Sequence, residues 1–571
     1  MQAASETPAF EGSAQTRVAR LARGTGRLLG RLEALTARIP PWAVLGPLVV
    51  AGWLVVAFVA HGAVHTGWLY YNGGDGTWYY TTAWALAHGQ LPYSAIGYGY
   101  SMVLAPFARI AGPNMLAGLP YAIIFNVVVL GPIALLCMYG IAKLIAGRRF
   151  AYLVTALWVL APLLAIPYFL VKYHRRYVGE TLPPVLGLTT LGDFPSMVAL
   201  LVAAYFALRA ISNGRGIDAL TSGLAAGLAI AVKPSNGTFL PALFLGLLVA
   251  RRPRACLLAA AGLAPSLLCL ALWKERGIGH LPLFSVPSRT LALGPGPQPL
   301  GLTVHLSHYL RFNWHVLTTN LDGLREFTWS KRLIEWSLVA GAIALVRRSL
   351  GGAALIVAWL AAYVLLKGST VATFTGGNFF RYLSPAFPAA FLLAASVPLL
   401  IPIAGRKLAA AGDPKTWPVT EPARRRVLGV AAFLSIAPLV PILAFPQQST
   451  PIAVTFPTPT LFVPGNTFPV HASRSGGAVR LSWPSQSSGG SRVEYEVFRS
   501  HTDQLSCTSL GGSILCAYPT DVTHAVVAPH WTDRPPPGRW TYRVAVAAGV
   551  PPPTGIGDAI LLSRPVTAEV R

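Results

Sequence analysis

One aspartate, Asp75, lies among glycines and aromatic rings in the stretch YYNGGDGTWYYTTAWALAHGQLPY, residues 70–93. The chain holds only 20 acidic residues in 571, so a carboxylate at this place is a candidate for chemistry. A positioned carboxylate can take the proton from a hydroxyl or amine nucleophile and contribute about 10²- to 10⁴-fold to a rate. The structural alternative is a turn residue, because Asn, Gly and Asp favour turns for backbone reasons.

Further along the chain, charged residues stand at the ends of apolar runs. Asp193 precedes the run at 195–211, Lys233 follows the run at 217–232, and Arg381 opens a Pro-punctuated run in NFFRYLSPAFPAAF. Arginine can engage two phosphate oxygens and lysine acts as a point charge, so these cations suit an anionic ligand. Alternatively, Asp193 caps a helix N-terminus, and the two cations anchor spans by snorkelling to the interface.

The composition identifies a membrane protein. Hydrophobic residues make up 53% of the chain, charged residues only 11%, and the mean hydropathy is +0.53, whereas soluble domains are about 25% charged. The net charge of +25 comes from short basic clusters between apolar segments. This pattern indicates topology determinants that face anionic lipid, and it argues against nucleic-acid binding.

A window of about 19 residues predicts about eleven transmembrane helices. The predicted domains are a basic cytoplasmic segment at 1–41, a multi-span domain at 42–446 and an all-β domain at 447–571. The first span is expected to be retained, not cleaved as a signal peptide. The predicted spans are 42–62, 115–144, 150–171, 195–211, 217–233, 237–250, 256–273, 333–346, 352–368, 383–404 and 428–446.

A cytoplasmic N-terminus satisfies the positive-inside rule. It places five basic connections on the cytoplasmic side, and the odd number of spans then places the C-terminus outside. Three long connections become external: 63–113 with Asp75, 172–194 and 274–332. The basic connections are 147–149, 212–216, 251–254, 347–349 and 405–426.

The last 125 residues lose the apolar runs and gain alternating segments such as VEYEVFRS and WTYRVAVAAG, which predict strands. The order of Trp483, these segments and WTD at 531–533 resembles a fibronectin type III sandwich. Cys507 and Cys516 have a spacing that suits a strand-to-strand loop, so an oxidising compartment would allow a disulfide between them. A zinc pair is the competing interpretation, although no further ligands accompany them.

Three motifs together resemble the GT-C superfamily of integral membrane glycosyltransferases, in particular the aminoarabinose and protein O-mannosyl transferases. These are GGDGTWYYTTAWALAHGQLPY after the first span, LGDFPSMVALL leading to AIAVKPSNGTF, and the late RYLSPAFP. They follow the family's order over most of the first 400 residues. The family's enzymes pass a sugar from a polyprenyl-phosphate donor in the bilayer to an acceptor on the outer face.

The resemblance implies roles for particular residues. Asp75 matches the family's first-loop acid and is expected to act as general base, without a cofactor. Lys233, Arg381, Arg175 and Arg176 are expected to bind the donor phosphate. Asp193, His174 and Tyr79 are expected to position donor or acceptor.

The metal requirement is a separate question. Gly76 stands where many relatives carry a second acid, and one carboxylate is a poor site for Mg²⁺. The expectation is therefore a metal-free base, with the need for a divalent ion left open. The histidines of HLSHYLRFNWH, residues 305–315, are dense enough to suggest metal ligands, but an interfacial helix explains them better.

The predicted function is inverting transfer of a hexosyl or pentosyl group at the plasma (inner) membrane of a bacterial cell. The expected partners are a polyprenyl-phosphate sugar, a glycan, lipid or protein acceptor, and anionic membrane lipids. Alternatives are a polymerase or ligase of lipid-linked glycans, and a transporter or flippase of a lipid-linked saccharide. Transport would favour internal repeats and charges near the bilayer midplane, and neither is obvious in the sequence.

Overall fold

The structure is a computed structural model, and it describes sixteen ranges of the chain. These are residues 40–63, 75–92, 96–112, 115–165, 187–278, 312–326, 331–369, 381–409, 421–446, 453–455, 468–485, 493–501, 506–510, 513–517, 522–548 and 559–570.

The first part of the chain, to residue 446, forms helices wherever the sequence is apolar. Two π-helical segments, Phe125–Leu130 and Tyr363–Lys367, interrupt this order, and a 3-10 turn at Pro234–Phe239 leads into α9. The α-helices are α1 Pro41–Ala63, α2 Asp75–Ala87, α3 Tyr98–Ala111, α4 Met115–Ile124, α5 Gly131–Ala146, α6 Arg148–Ala165, α7 Asp193–Asn213, α8 Gly216–Val232, α9 Leu240–Val249, α10 Pro253–Ile278, α11 Trp314–Glu326, α12 Lys331–Val346, α13 Leu350–Ala362, α14 Phe387–Ala395, α15 Pro402–Ala409, α16 Glu421–Ile436 and α17 Leu439–Ala444.

Helix α7 lies at the centre of this bundle, since 89% of its most apolar window is buried. It packs against α8, which in turn packs on α10 through small residues. A Cβ at Gly223 would lie 2.0 Å from the Ala259 carbonyl oxygen, so only glycine allows this approach. Small residues at helix contacts are typical of membrane bundles, because they bring the helix backbones together.

Within the described ranges, seven helices are long and apolar enough to cross a membrane, and the prediction of a polytopic helical membrane protein is confirmed. The apolar helices Gly216–Val232, Pro234–Val249 and Leu333–Val346 are shorter. Together with α6 these ten helices coincide with the eleven predicted segments. The seven are Pro41–Phe58, Gly118–Ala146, Asp193–Asn213, Pro253–Arg276, Leu350–Lys367, Arg381–Leu400 and Pro422–Ala444.

The C-terminal part forms strands, as predicted. One sheet has the order β10-β9-β4-β7 with β11 also paired to β9, a second has the order β2-β3-β8, and a third has β1 parallel to β6 with β5 beyond it. The strands are β1 Ala453–Thr455, β2 His471–Ser475, β3 Ala478–Ser482, β4 Val493–Ser500, β5 Ser506–Leu510, β6 Ser513–Ala517, β7 Val522–Val526, β8 His530–Asp533, β9 Gly538–Ala548, β10 Ala559–Leu562 and β11 Val566–Val570.

The first two sheets share one apolar core. Leu481 of β3, Tyr495 of β4 and Trp540 of β9 are buried in the same cluster, with Trp483 packed edge-on against Tyr495 at 5.3 Å. The tail therefore contains two sheets that pack on one core, and its fibronectin type III topology stays a prediction.

Candidate active site

The Asp193 carboxylate is the centre of the candidate site. Its side chain is 1% exposed, its Oδ1 accepts from the Lys233 ammonium, and its Oδ2 accepts from Arg381 Nε at 3.3 Å. The side chains of the two cations are 15% and 16% exposed. A buried carboxylate needs such partners, because an unpaired buried charge is costly.

The chain topology explains how these three residues meet. Asp193 is the first residue of α7, Lys233 follows the last residue of α8, and Arg381 begins the span Arg381–Leu400. Since α7 and α8 form an antiparallel hairpin, the start of one lies beside the end of the other. Pro234 then turns the chain, because proline disfavours helical backbone in the residue before it.

The alternative roles considered for these residues do not fit this geometry. Gly192 occupies the N-cap position of α7, and no side chain caps the helix there. The carboxylate of Asp193 instead binds the two cations. The Lys233 ammonium pairs with this buried acid, whereas a snorkelling anchor keeps its charged head in water.

A third cation, Lys367, was missed by the sequence analysis. It ends the π-helical segment Tyr363–Lys367, is 7% exposed, and lies close enough to Lys233 for the two positive charges to interact. Tyr363 of the same segment lies close enough to Asp193 for an electrostatic interaction with its carboxylate. In the sequence Lys367 only ends an apolar run, which is also the pattern of an interface anchor.

Among the described residues, three cations and one carboxylate give this cluster a net charge of +2. Lys233 also lies 5.9 Å from the centroid of the Tyr382 ring, which adds a cation–π contact. Because the groups are mostly buried, salt screens their field less than at the surface. An anion with one or two negative charges is the ligand that this arrangement suits.

Helix α2 joins the cluster from the predicted first external loop. The Tyr79 hydroxyl donates to the Val232 carbonyl at 3.0 Å, next to Lys233. A Cβ at Gly192 would lie 2.5 Å from the Tyr79 hydroxyl oxygen, and one at Gly76 would lie 2.6 Å from Thr190 Oγ1. A side chain at either position would therefore displace Tyr79 or Thr190, and α2 starts against the turn that leads into Asp193.

The structure thus brings together four of the residues predicted for the site: Tyr79, Asp193, Lys233 and Arg381. Asp75 is the first residue of α2, directly before Gly76, and its side chain lies outside the described residues. His174, Arg175 and Arg176 also lie outside them, in the range 166–186.

The described residues contain no group of three His, Cys, Asp or Glu side chains that could hold a metal ion. Of the three histidines considered above, His315 lies within the described ranges, exposed on α11, while His305 and His308 fall outside them. The described part of the cluster suits an anion better than a metal ion.

No family model and no curated protein matches the chain. Among solved structures it is similar to the oligosaccharyltransferase AglB from Archaeoglobus fulgidus, with 14% identity and a TM-score of 0.37 over 72% of this chain and 56% of that one. It is also similar to ArnT from Cupriavidus metallidurans, with 14% identity and a TM-score of 0.41 over 71% of each chain. A third similar structure is the arabinosyltransferase EmbB from Mycobacterium smegmatis, with 13% identity and a TM-score of 0.35 over 95% of this chain and 66% of that one.

The chain therefore spans little more than half of the length of AglB and about two thirds of EmbB. At these identities the likeness concerns the fold alone, and a function has to be argued from the site. The three named structures are GT-C membrane glycosyltransferases, the superfamily that the sequence motifs resemble.

Proposed function

We propose that this protein is an inverting glycosyltransferase that moves a sugar from a polyprenyl-phosphate donor to an acceptor at the outer face of the plasma membrane. The observation that carries the proposal is the buried cluster of Lys233, Arg381 and Lys367 around Asp193. The cluster lies at the ends of apolar helices, where the phosphate of a lipid-linked donor would meet it while its tail stays in the bilayer.

The charge of the cluster suits the departure of the lipid phosphate. A sugar on a polyprenyl phosphate is a phosphodiester with one negative charge. When the anomeric C–O bond breaks, its electron pair stays on the phosphate oxygen and the phosphate monoester carries a second charge. A site with net charge +2 stabilises the product-like anion more than the donor, which is the differential binding that lowers a barrier.

Asp193 is a positioning residue in this proposal. Both of its oxygens accept from cations, so it is a poor proton acceptor. The base is Asp75, at the start of α2. It takes the proton from the acceptor hydroxyl or amine while that atom bonds to the anomeric carbon, and a single displacement inverts the configuration.

Tyr79 has a supporting role, because its bond to the Val232 carbonyl joins α2 to the segment that carries Lys233. Arg175, Arg176 and His174 are proposed as further donor contacts from the connection at 172–194. The β-sheet region is proposed to lie outside the cell, where it would contact a glycan, lipid or protein acceptor. The sugar transferred is a hexose or pentose.

The experiment that tests this function measures sugar transfer in membranes that contain the wild-type protein or D75N. Radiolabelled sugars on polyprenyl phosphates are the donors, and EDTA is tested in parallel. We expect transfer by the wild type, a loss of about 10²-fold or more in D75N, and unchanged binding of undecaprenyl phosphate.

The matched control is D322N, because Asp322 is an exposed aspartate on α11 whose side chain is 72% exposed. This variant is expected to transfer sugar at the wild-type rate. Equal transfer by wild type and D75N would remove Asp75 as the base. Movement of labelled donor across vesicles without any transfer would replace the proposal by transport.

A further inference from the structure

Three buried asparagines lie beside the segments that carry the cation cluster, and the proposed chemistry gives none of them a role. Asn126, Asn236 and Asn320 are 0%, 0% and 3% exposed. Each lies on a different segment, and each carboxamide donates to backbone carbonyls. A buried amide without partners would cost about 1–3 kcal/mol, so these bonds are needed where the groups stand.

Asn126 holds the turn that precedes Asp193. It lies on the π-helical segment Phe125–Leu130, and its Nδ2 is 3.1 Å from the Gly187 carbonyl and 3.2 Å from the Thr189 carbonyl. The Tyr100 hydroxyl lies 3.4 Å from Asn126 Oδ1. Burial raises the pKa of Tyr100, so this hydroxyl stays protonated and available as a donor.

Asn236 holds the turn that follows Lys233. Its Nδ2 donates to the Ala229 carbonyl at 3.1 Å, across the end of α8. Its Oδ1 accepts from the Tyr363 hydroxyl at 2.7 Å. The same carboxamide thus connects the Lys233 turn to the π-helical segment that ends in Lys367.

Asn320 holds the other end of that π-helical segment. It lies on α11, and its Nδ2 donates to the Gly368 carbonyl at 2.8 Å, one residue after Lys367. Helix α11 belongs to the long connection at 274–332. The hydrogen bond therefore joins this connection to the backbone beside Lys367.

We propose that Asn126, Asn236 and Asn320 are positioning residues of the anion site, which fix the backbone of the segments that carry Asp193, Lys233 and Lys367. Like charges at Lys233 and Lys367 repel each other and would move apart on flexible segments. The carboxamides hold them at one place without adding charge. Both π-helical segments take part, and such local departures from α-helix are frequent at functional sites.

The positioning itself follows from the hydrogen bonds, whereas the identity of the ligand as a lipid phosphate rests on the proposed function. The experiment measures binding of undecaprenyl phosphate, the lipid held in the ArnT structure, to detergent-solubilised protein. Asn236→Leu and Asn320→Leu keep the side-chain size and remove its hydrogen bonds. We expect each variant to weaken binding about tenfold, because a misplaced lysine would lose about one hydrogen bond to the phosphate.

Tyr363→Phe is the milder variant, because it removes only the hydroxyl that donates to Asn236. The matched control is Ser222→Ala, which removes a buried hydroxyl 2.8 Å from the Ala203 carbonyl within the α7–α8 hairpin. Melting temperatures are measured for all four. Weakened binding in the asparagine and tyrosine variants, at melting temperatures like that of Ser222→Ala, supports positioning. Wild-type affinity in all of them overturns it.

A second readout separates this inference from the proposed function. Acylation of Lys233 and Lys367 by a lysine reagent is followed by peptide mass spectrometry, without any ligand. Faster acylation in Asn236→Leu and Asn320→Leu than in Ser222→Ala would show that the two lysines are no longer held in position. This readout is valid even where the wild type fails to bind the lipid phosphate. In that case the donor assignment fails and the positioning stands. Acylation rates equal to the control overturn the positioning.

Discussion

At the scale of single residues, Asp193 joins cations that come from distant parts of the chain. It is 1% exposed and contacts cations from two distant segments. Removing it would take away the carboxylate that pairs with Lys233 and Arg381. The pairing of Lys233 with Arg381 through one carboxylate therefore depends on Asp193.

We predict that D193N lowers the free energy of unfolding by about 3–5 kcal/mol, the cost of breaking a buried ion pair. The double variant D193N/K233M should be less destabilised than the sum of the single variants, because the second change removes the orphaned charge. Thermal unfolding in detergent measures all three variants. Strictly additive effects would show that the pair is not coupled.

We predict that K367M weakens binding of undecaprenyl phosphate about tenfold, because one charge-assisted contact is lost. K143M is the control, since Lys143 is also buried, at 4% exposure, but lies near the end of α5, beside the basic connection at 147–149. Direct binding to the purified protein distinguishes the two variants. Equal affinities of K367M and K143M would exclude Lys367 from the site.

Part of this cluster was predicted from the sequence and part was not. Asp193, Lys233 and Arg381 stand at span ends in a family-like order, so their types and positions were informative. Lys367, Asn126 and Asn236 lie inside or beside apolar runs, where a polar residue also serves as an anchor or a hydrogen-bonded core group. Asn320 lies among other polar residues on α11, where nothing in the sequence singles it out. Only the convergence of distant segments distinguishes these roles.

Among the elements, the hydropathy pattern located the helices, because burial of apolar side chains in a bilayer requires long apolar runs. It could not reveal the π-helical segments Phe125–Leu130 and Tyr363–Lys367, since both lie within continuous apolar sequence. An extra residue in a helical turn leaves no trace in hydropathy. It does change which residues face the site.

In the β-sheet region, strands β5 and β6 pair antiparallel, and their register places Cys507 opposite Cys516. Directly opposed residues in such a pair have Cα atoms about 4.5–5.5 Å apart, which lies within the range of a disulfide. We predict a bond between them in protein exported to an oxidising compartment, worth about 2–3 kcal/mol for so short a loop.

Mass spectrometry without reductant measures this bond, because the peptides that contain Cys507 and Cys516 should stay linked until they are reduced. The serine variant of either cysteine serves as the control. Free thiols at both positions in exported protein would contradict the prediction.

At the scale of the whole molecule, the bundle has two chemically different ends. At one end Arg149 donates to the Lys407 carbonyl at 2.9 Å, and a Cβ at Gly214 would lie 2.8 Å from Arg252 Nη1. The basic connections predicted for the cytoplasmic side thus meet there. The other end gathers α2, α11 and the cation cluster.

We predict that the end with the cation cluster faces outward. A cysteine-free background with His315→Cys should react with a membrane-impermeant maleimide in intact cells, since His315 is exposed on α11. Arg252→Cys, exposed at the basic end, should react only after permeabilisation. The reverse pattern would invert the topology and place the proposed chemistry in the cytoplasm.

The two ion pairs within the α7–α8 hairpin have a consequence for how the chain is made. Asp193 pairs with Lys233 at one end, and Arg209 Nε lies 3.3 Å from Asp218 Oδ1 at the other. All four residues lie near helix ends, where a charge costs less than the about 2.5–3.5 kcal/mol of a helix centre during insertion. A hairpin that carries both partners lowers this cost further, because its charges enter the bilayer as neutral pairs.

During synthesis, Arg381 and Arg424 emerge long after this hairpin, and each finds a carboxylate oxygen already in place, on Asp193 and on Asp218. We expect the isolated hairpin to insert less efficiently as D193N or as K233M than as the double variant, in a translocation assay with engineered glycosylation sites. Equal insertion of all three would mean that the pairs form only after the bundle is complete. The anion site would then be assembled in the order of synthesis, because Asp193 and Lys233 are paired in the membrane before Lys367 and Arg381 are made.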